Sequence, residues 1–89
     1  GVAMAKTSFA AVAQRWALAS TREAHENWRA GNWHGAVTEI WNVEDLARRC
    51  AWEYASTMLQ EMVVAMLRRD SEYVAHCRHE LEIYLGGLL

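Results

Sequence analysis

The chain has 89 residues, of which 53% are hydrophobic and 22% charged, with a formal net charge of −2. This composition excludes a disordered chain, which would carry fewer apolar residues and a larger net charge. The longest run without Asp, Glu, Lys or Arg covers nine residues, 30–38, whereas a membrane-spanning helix needs about 20. We therefore expect no membrane partner. A chain of this size buries only a modest core, so self-association into a homodimer is expected to add stability.

The two ends of the chain and its cysteines bear on domain organisation and location. Residues 1–3 precede Met4 and look like a cloning remnant, so we expect a single helical domain over 4–89. A disulfide-stabilised secreted domain usually carries four or more cysteines, but this chain has only Cys50 and Cys77. We expect two free, buried thiols in a cytoplasmic protein. The alternative, a Cys50–Cys77 disulfide, requires the two helices to be adjacent and in register.

Fifteen alanines and no proline favour helix along the whole chain, because alanine loses no side-chain entropy in a helix. The first helix is expected over 8–30 and ends before the segment 31–35, which contains two glycines. Ser20 and Glu23 form a capping-box pattern, so a break near Ser20 is an alternative.

A second helix is expected from Asn42, whose side chain can cap it, to Arg69. Residues 35–41 form either a short helix or an ordered connection. The third helix begins at Asp70 or Ser71, although an uninterrupted helix over 43–85 is an alternative. The sequence therefore predicts an all-α fold, a three-helix bundle with a long central second helix, or four helices if 35–41 is helical.

The predicted second helix is apolar on two sides, about 140° apart. One side carries Ala47, Cys50, Tyr54, Met58 and Ala65. The other side carries Trp52, Leu59, Val63 and Met66. Because a helix that is apolar on two sides needs two neighbours, the second side is either covered within the monomer or forms a dimer seam or partner groove.

The first helix has an apolar stripe and a basic stripe. The apolar stripe consists of Phe9, Ala13, Trp16 and Ser20. Arg15, Arg22 and Arg29 recur every seven residues and form the basic stripe. Three arginines on one helix are better explained as solvated charges than as a phosphate-binding track, so a nucleic-acid partner is not expected.

Three of the five tryptophans, Trp28, Trp33 and Trp41, flank the glycine-containing segment. In one interpretation they close the end of the bundle, each indole N–H bonded to a carbonyl. In the other, some of the rings are exposed anchors for a partner, because tryptophan is enriched in binding hot spots.

Glu72, His76 and His79 share one side of the predicted third helix. They are a weak metal-site candidate, because a zinc site needs three or four ligands that converge in space. The favoured interpretation is a solvated helix face, and no metal or cofactor is expected.

Two short motifs resemble known families. Arg69, Asp70 and His76 resemble the R-x(4–6)-H motif of the HEPN helical ribonucleases. That resemblance implies metal-independent RNA cleavage in which Arg69 and His76 act together across a dimer. Trp33-His34-Gly35, with Trp41 further along, resembles the W-x-G turn of the WXG100 secreted helical hairpins and implies two helices joined at that turn. The chain lacks the family's tyrosine followed four residues later by an acid.

The favoured function is a non-catalytic protein-binding module: an adaptor, regulator or inhibitor of a protein partner. It is expected to act through apolar and aromatic helical surface, and the HEPN-like and WXG100-like functions are the alternatives. The expected binding or dimer residues are Trp52, Leu59, Val63, Met66, Trp28, Trp33 and Trp41.

Overall fold

The computed structural model describes residues 2–87, with side chains described over 9–87. Gly1, Leu88 and Leu89 lie outside the described residues. Four helices follow one another along the chain: α1 (Val2–Arg29), α2 (Trp33–Arg49), α3 (Glu53–Leu67) and α4 (Ser71–Gly87). The described part of the chain contains no strand. The all-α prediction is confirmed, and the four helices agree with the four-helix alternative.

Each helix packs against the next one in the chain, and α4 returns to pack against α1. Connections of three residues force consecutive helices to run antiparallel, which gives an up-down-up-down bundle. The core is one cluster to which all four helices contribute. Its largest fully buried side chains are Ile40, Leu59, Met62, Met66, Leu81 and Leu85.

The predicted helix over 43–69 is wrong, because the chain turns at 50–52 and divides that segment between α2 and α3. Asn42 lies in the middle of α2 and caps nothing. The cap is Asn32, whose side-chain oxygen accepts a hydrogen bond from the Gly35 N–H at 3.3 Å. The predicted boundary at Asp70 is confirmed, since Asp70 Oδ1 accepts from the Tyr73 N–H at 3.1 Å.

All three interhelical turns have the same backbone form. The middle residue of each turn is left-handed: φ is 93° at Gly31, 57° at Ala51 and 60° at Arg69. The next residue donates its N–H to a carbonyl five residues earlier, at 2.8 to 3.0 Å, as in a Schellman motif. Glycine adopts this conformation without steric cost, whereas alanine and arginine adopt it only at a steric cost from their Cβ atoms. Only the first turn therefore has the glycine that usually marks such a turn in a sequence.

Helix α1 is much longer than its neighbours. Its 28 residues span about 42 Å, whereas the 17 residues of α2 and α4 span about 26 Å. The C-terminal end of α4 lies level with Gln14, whose side-chain amide donates to the Leu85 carbonyl at 2.9 Å. The N-terminal end of α1 consequently projects past the end of α4. With this projection included, the molecule measures 46 Å along its longest axis and 20 and 17 Å across.

A buried carboxylate joins α2 to α3. The Glu44 side chain is 3% exposed and accepts hydrogen bonds from Gln60 Nε2 at 3.0 Å, Arg48 Nε at 2.9 Å and Ser56 Oγ at 3.2 Å. Burial alone would raise the pKa of Glu44, but these three donors together outweigh burial and hold it below its usual value of 4.5. Glu44 therefore remains charged in the folded state.

Replacing Ala51 by glycine should stabilise the protein. The substitution removes the cost of a Cβ at positive φ but increases the entropy of the unfolded chain, so we expect a net gain of about 0.5–1 kcal/mol. Urea unfolding of the wild type and of Ala51→Gly measures this difference. The matched control is Ala75→Gly on the exposed surface of α4, which should instead destabilise by about 1 kcal/mol. Equal losses for both variants would contradict the strained turn.

Glu44→Gln should lose about 1–3 kcal/mol of stability at pH 7, because an amide offers donors where Arg48 and Gln60 already donate. A folded-state pKa below the unfolded value means that the carboxylate stabilises the fold above pH 4.5 and loses that effect as pH falls through the folded pKa. The difference between wild type and Glu44→Gln in denaturant unfolding should thus shrink on acidification. Asp45→Asn, which alters the half-exposed carboxylate of the next residue, should change stability by at most about 0.5 kcal/mol at pH 7.

Candidate functional site

The second apolar side of the predicted long helix belongs to the core. Leu59 and Met66 are fully buried, Val63 is 3% exposed, and Trp52 is partly buried against the same cluster. Dividing that segment into two helices leaves α3 with α2 on one side and α4 on the other, so both of its apolar sides are covered within the monomer. The proposed seam on this side is therefore wrong.

The three tryptophans near the first turn do not form one cluster. Trp28 is buried, and its indole N–H donates to the Met66 carbonyl at 3.2 Å, as the bundle-closing interpretation predicts. Trp33 and Trp41 are each 46% exposed. Trp33 lies against the α3–α4 turn, while Trp41 is on the outside of α2, so the rings lie in three different environments.

Arg69 joins the start of α2 to the end of α3. Its guanidinium carbon lies 3.5 Å from the centroid of a Trp33 ring, a cation–π contact. The same guanidinium donates to the Met66 carbonyl at 3.3 Å. Since Arg69 is itself the strained residue of its turn, these contacts help to hold that turn in place.

The residues that resemble the ribonuclease motif each have a different neighbour. The Arg69 side chain packs on Trp33, whereas the exposed ring of His76 stacks on Tyr73 with centroids 5.5 Å apart. The tripeptide that resembles the W-x-G turn, residues 33–35, forms the first turn of α2 rather than the connection before it. Four helices also depart from the two-helix hairpin that this second resemblance implies.

The weak metal candidate is not assembled. Glu72, His76 and His79 are all exposed on α4, and no group of three or more His, Cys, Asp or Glu within the described residues is arranged to hold a metal ion. Both cysteines are free. Burial raises the pKa of the Cys77 thiol to about 11, so at neutral pH it is protonated and a poor nucleophile.

His25 is a buried histidine between α1 and α4, and it is 8% exposed. Arg78 Nη1 lies 3.1 Å from its Nδ1. A guanidinium can only donate, so Nδ1 must accept and the ring is neutral. Burial and the charge of Arg78 both lower the pKa of His25. This histidine therefore helps to hold the two helices together.

The basic stripe on α1 is partly neutralised. Arg22 forms an ion pair with Glu82 of α4, and Arg29 lies 3.6 Å from Glu26. Glu82 has a lowered pKa because the Arg22 guanidinium hydrogen-bonds it. Arg22 thus contributes to the α1–α4 contact, whereas Arg29 pairs within α1.

Three of the exposed apolar side chains lie together on one face of α1. Phe9 is 67% exposed, Val12 62% and Trp16 45%, and their spacing of three and four residues puts them on adjacent turns. We refer to these three residues as the α1 face. It borders a groove of about 400 Å³ between α1 and α2. The groove is lined by Phe9, Val12, Ala13, Trp16, Asn42, Asp45, Leu46 and Arg49.

The sequence placed Phe9 and Trp16 on the same stripe as Ala13 and Ser20, and that prediction was half right. Ala13 and Ser20 are buried, but Phe9 and Trp16 point outward. Ala17 and Ala24 are fully buried, so α1 packs through small residues that allow a close approach of its neighbours. The large apolar residues next to this row of alanines were the signal in the sequence for an exposed face.

A second groove, of about 500 Å³, lies on α3 near the α3–α4 turn. Val64 and Leu67 are exposed near it, by 46% and 64%. Its lining includes Gln60, Glu61, Arg68 and Asp70, and the Tyr73 hydroxyl donates to Glu61. Because charged and polar side chains line it, this groove is less suited to an apolar partner than the α1 face.

Comparisons with protein-family models, with curated proteins and with solved structures found no match for this chain. Neither of the two family resemblances gains support from them. No helix in the described range is both long and apolar enough to cross a membrane.

The core position of Leu59 can be tested with one substitution made at two sites of α3. Leu59→Ala should cost about 2–5 kcal/mol, because it leaves a cavity in the core. Leu67→Ala, at a position that is 64% exposed, should change stability by no more than about 0.5 kcal/mol. Chemical denaturation followed by circular dichroism measures both. A fully stable Leu59→Ala protein with an altered mass in solution would restore the seam.

Proposed function

We propose that this chain is a non-catalytic protein-binding module that docks a partner on the α1 face and the adjoining groove. One observation carries the proposal: three neighbouring large apolar side chains, two of them aromatic, are 45–67% exposed. Scattered apolar residues are ordinary on a protein surface, but contiguous apolar patches more often mark interaction sites.

The composition of this surface suits a binding site. Phe9 and Trp16 supply large apolar area, and tryptophan is enriched among residues that dominate binding energy. Asp45 and Arg49 lie at the edge of the groove and form an ion pair at 3.1 Å. An apolar centre with a charged rim is the usual anatomy of a protein interface.

The free energy that the α1 face can contribute to binding can be bounded. Fully burying a large apolar side chain is worth about 1.5–3 kcal/mol, and roughly half of each side chain on the α1 face is available to a partner. Covering all three residues thus contributes on the order of 3–4 kcal/mol before the cost of association. Because this is no larger than the cost of association, the partner has to bury apolar surface of its own for binding to be favourable.

The shape of the groove indicates the class of partner. It is an open channel between two antiparallel helices, and such a channel accepts the apolar side of another helix. An adaptor, regulator or inhibitor would use it in this way. The two free cysteines suit a reducing compartment, so we place the protein in the cytoplasm.

Affinity capture from cells of the source organism tests the proposal. The wild type is compared with the double variant Phe9→Ser/Val12→Ser and with a control, Val64→Ser/Leu67→Ser, which removes two similarly exposed apolar residues of the same spacing from α3. Proteins captured by both wild type and control should fall at least tenfold with the α1-face variant. Circular dichroism checks that all three are folded. Equal capture by the α1-face variant would refute the site.

A further inference from the structure

We propose that the α1–α4 contact is a pH-sensitive closure: below neutral pH, His25 binds a proton and the two helices separate at this contact. The proposal goes beyond binding at the α1 face and does not depend on it. Two observations support it. His25 is buried against a guanidinium of the opposite helix, and the two carboxylates that act on it are already bound to arginines.

Arg78 in its present position and a protonated His25 exclude one another. Arg78 Nη1 lies 3.1 Å from Nδ1 of the ring, and because a guanidinium only donates and stays charged, Nδ1 has to accept. A proton on Nδ1 would turn two N–H groups towards each other and set two positive charges side by side. Binding of a proton therefore requires Arg78 to leave the ring.

Burial makes this conflict costly. His25 is 8% exposed, so water screens the repulsion only weakly, and a charged ring is itself expensive to bury. The Arg78 side chain is 26% exposed and can turn towards solvent, but the ring reaches water only where α1 and α4 part. Relief of the burial cost therefore requires the contact to open.

The charges around the ring of His25 come from both helices: Glu26 and Arg29 from α1, Arg78 and Glu82 from α4. The carboxylates favour a proton on the ring, and the guanidiniums oppose it. However, Glu26 already accepts a hydrogen bond from Arg78 at 3.2 Å, and Glu82 forms an ion pair with Arg22. Burial and the two guanidiniums outweigh the carboxylates, so the pKa of His25 lies below its usual 6.5.

The α1–α4 contact is also the place where the bundle is tied together least. The other neighbouring helices are joined by turns of three residues, whereas α1 and α4 meet only through packing and side-chain bonds. Arg78 contributes two of these bonds, one to His25 and one to Glu26. When the proton displaces Arg78, the weakening therefore falls on a contact that no turn holds closed.

The direction of the pH effect follows from the lowered pKa of His25. The closed state binds fewer protons than the open state, so closure is complete above pH 6.5 and is lost as pH falls through the folded-state pKa. Glu44 and Glu82 have lowered pKa values, so their stabilisation persists down to pH 4.5. Glu39 has a raised pKa, and its protonation stabilises the fold on acidification. An opening between these limits is therefore assigned to His25.

Amide hydrogen exchange of the full chain, from about pH 7.5 to about pH 5, measures the opening directly. Each rate is divided by the intrinsic rate of the unfolded chain at the same pH, which gives a protection factor. In the wild type, the protection of α4 should fall by at least about threefold across this range. The protection of α2, which the Glu44 network ties to α3, should fall less.

Two matched histidine variants assign the effect. His25→Gln should abolish the fall, because its amide oxygen can accept from Arg78 but does not bind a proton in this range. His34→Gln, at an exposed position in the first turn of α2, should behave like the wild type. Constant protection of α4 in the wild type, the same fall in His25→Gln, or an equal fall in α2 would each overturn the proposal.

A titration of the folded wild type by NMR does not depend on the stability of any variant. The ring C–H signals of His25 should titrate below pH 6.5, its usual value. Arg78→Gln removes the opposing charge and should move that titration upwards, whereas Arg78→Lys keeps a charge and should leave it low. A ring that titrates at or above its usual value in the wild type would contradict the closure.

Discussion

The left-handed turn at Ala51 is the constraint on which the rest of the fold depends. It divides a segment that could continue as one helix into α2 and α3, and so supplies the fourth helix. With α2 and α4 on either side, α3 buries both of its apolar sides, including Leu59 and Met66. The Trp52 N–H bond to the Ala47 carbonyl, 2.9 Å long, closes the turn and helps to offset the strain at Ala51.

Several polar side chains between the helices hold the helices together. Glu44 joins α2 to α3, His25 and Arg78 join α1 to α4, and Trp28 bonds across the core to Met66. Their polar atoms are paired, and no buried side-chain nitrogen or oxygen among the described residues lacks a hydrogen-bond partner. Apolar surface is left exposed on the outside of the bundle, and this observation underlies our proposal of a binding function.

Two features of α1 leave its apolar residues exposed: its length and the side of the helix that packs against the bundle. Three helices of 15 to 17 residues cannot cover one of 28, so the N-terminal part of α1 extends past them. Since α1 uses its alanines to pack within the bundle, Phe9 and Trp16 remain outside. A partner helix laid against that face would cover them.

The sequence by itself determined the helical class, the turn at Gly31 and the boundary at Asp70, because alanine content, a glycine and a capping carboxylate are local signals. The turn at Ala51 could not be predicted, since neither glycine nor a capping side chain marks it and tertiary packing has to offset its strain. Helical periodicity likewise grouped Phe9 and Trp16 with Ala13. Only the tertiary structure decided which of two adjacent arcs faces the core, because that choice depends on how closely the neighbouring helices approach.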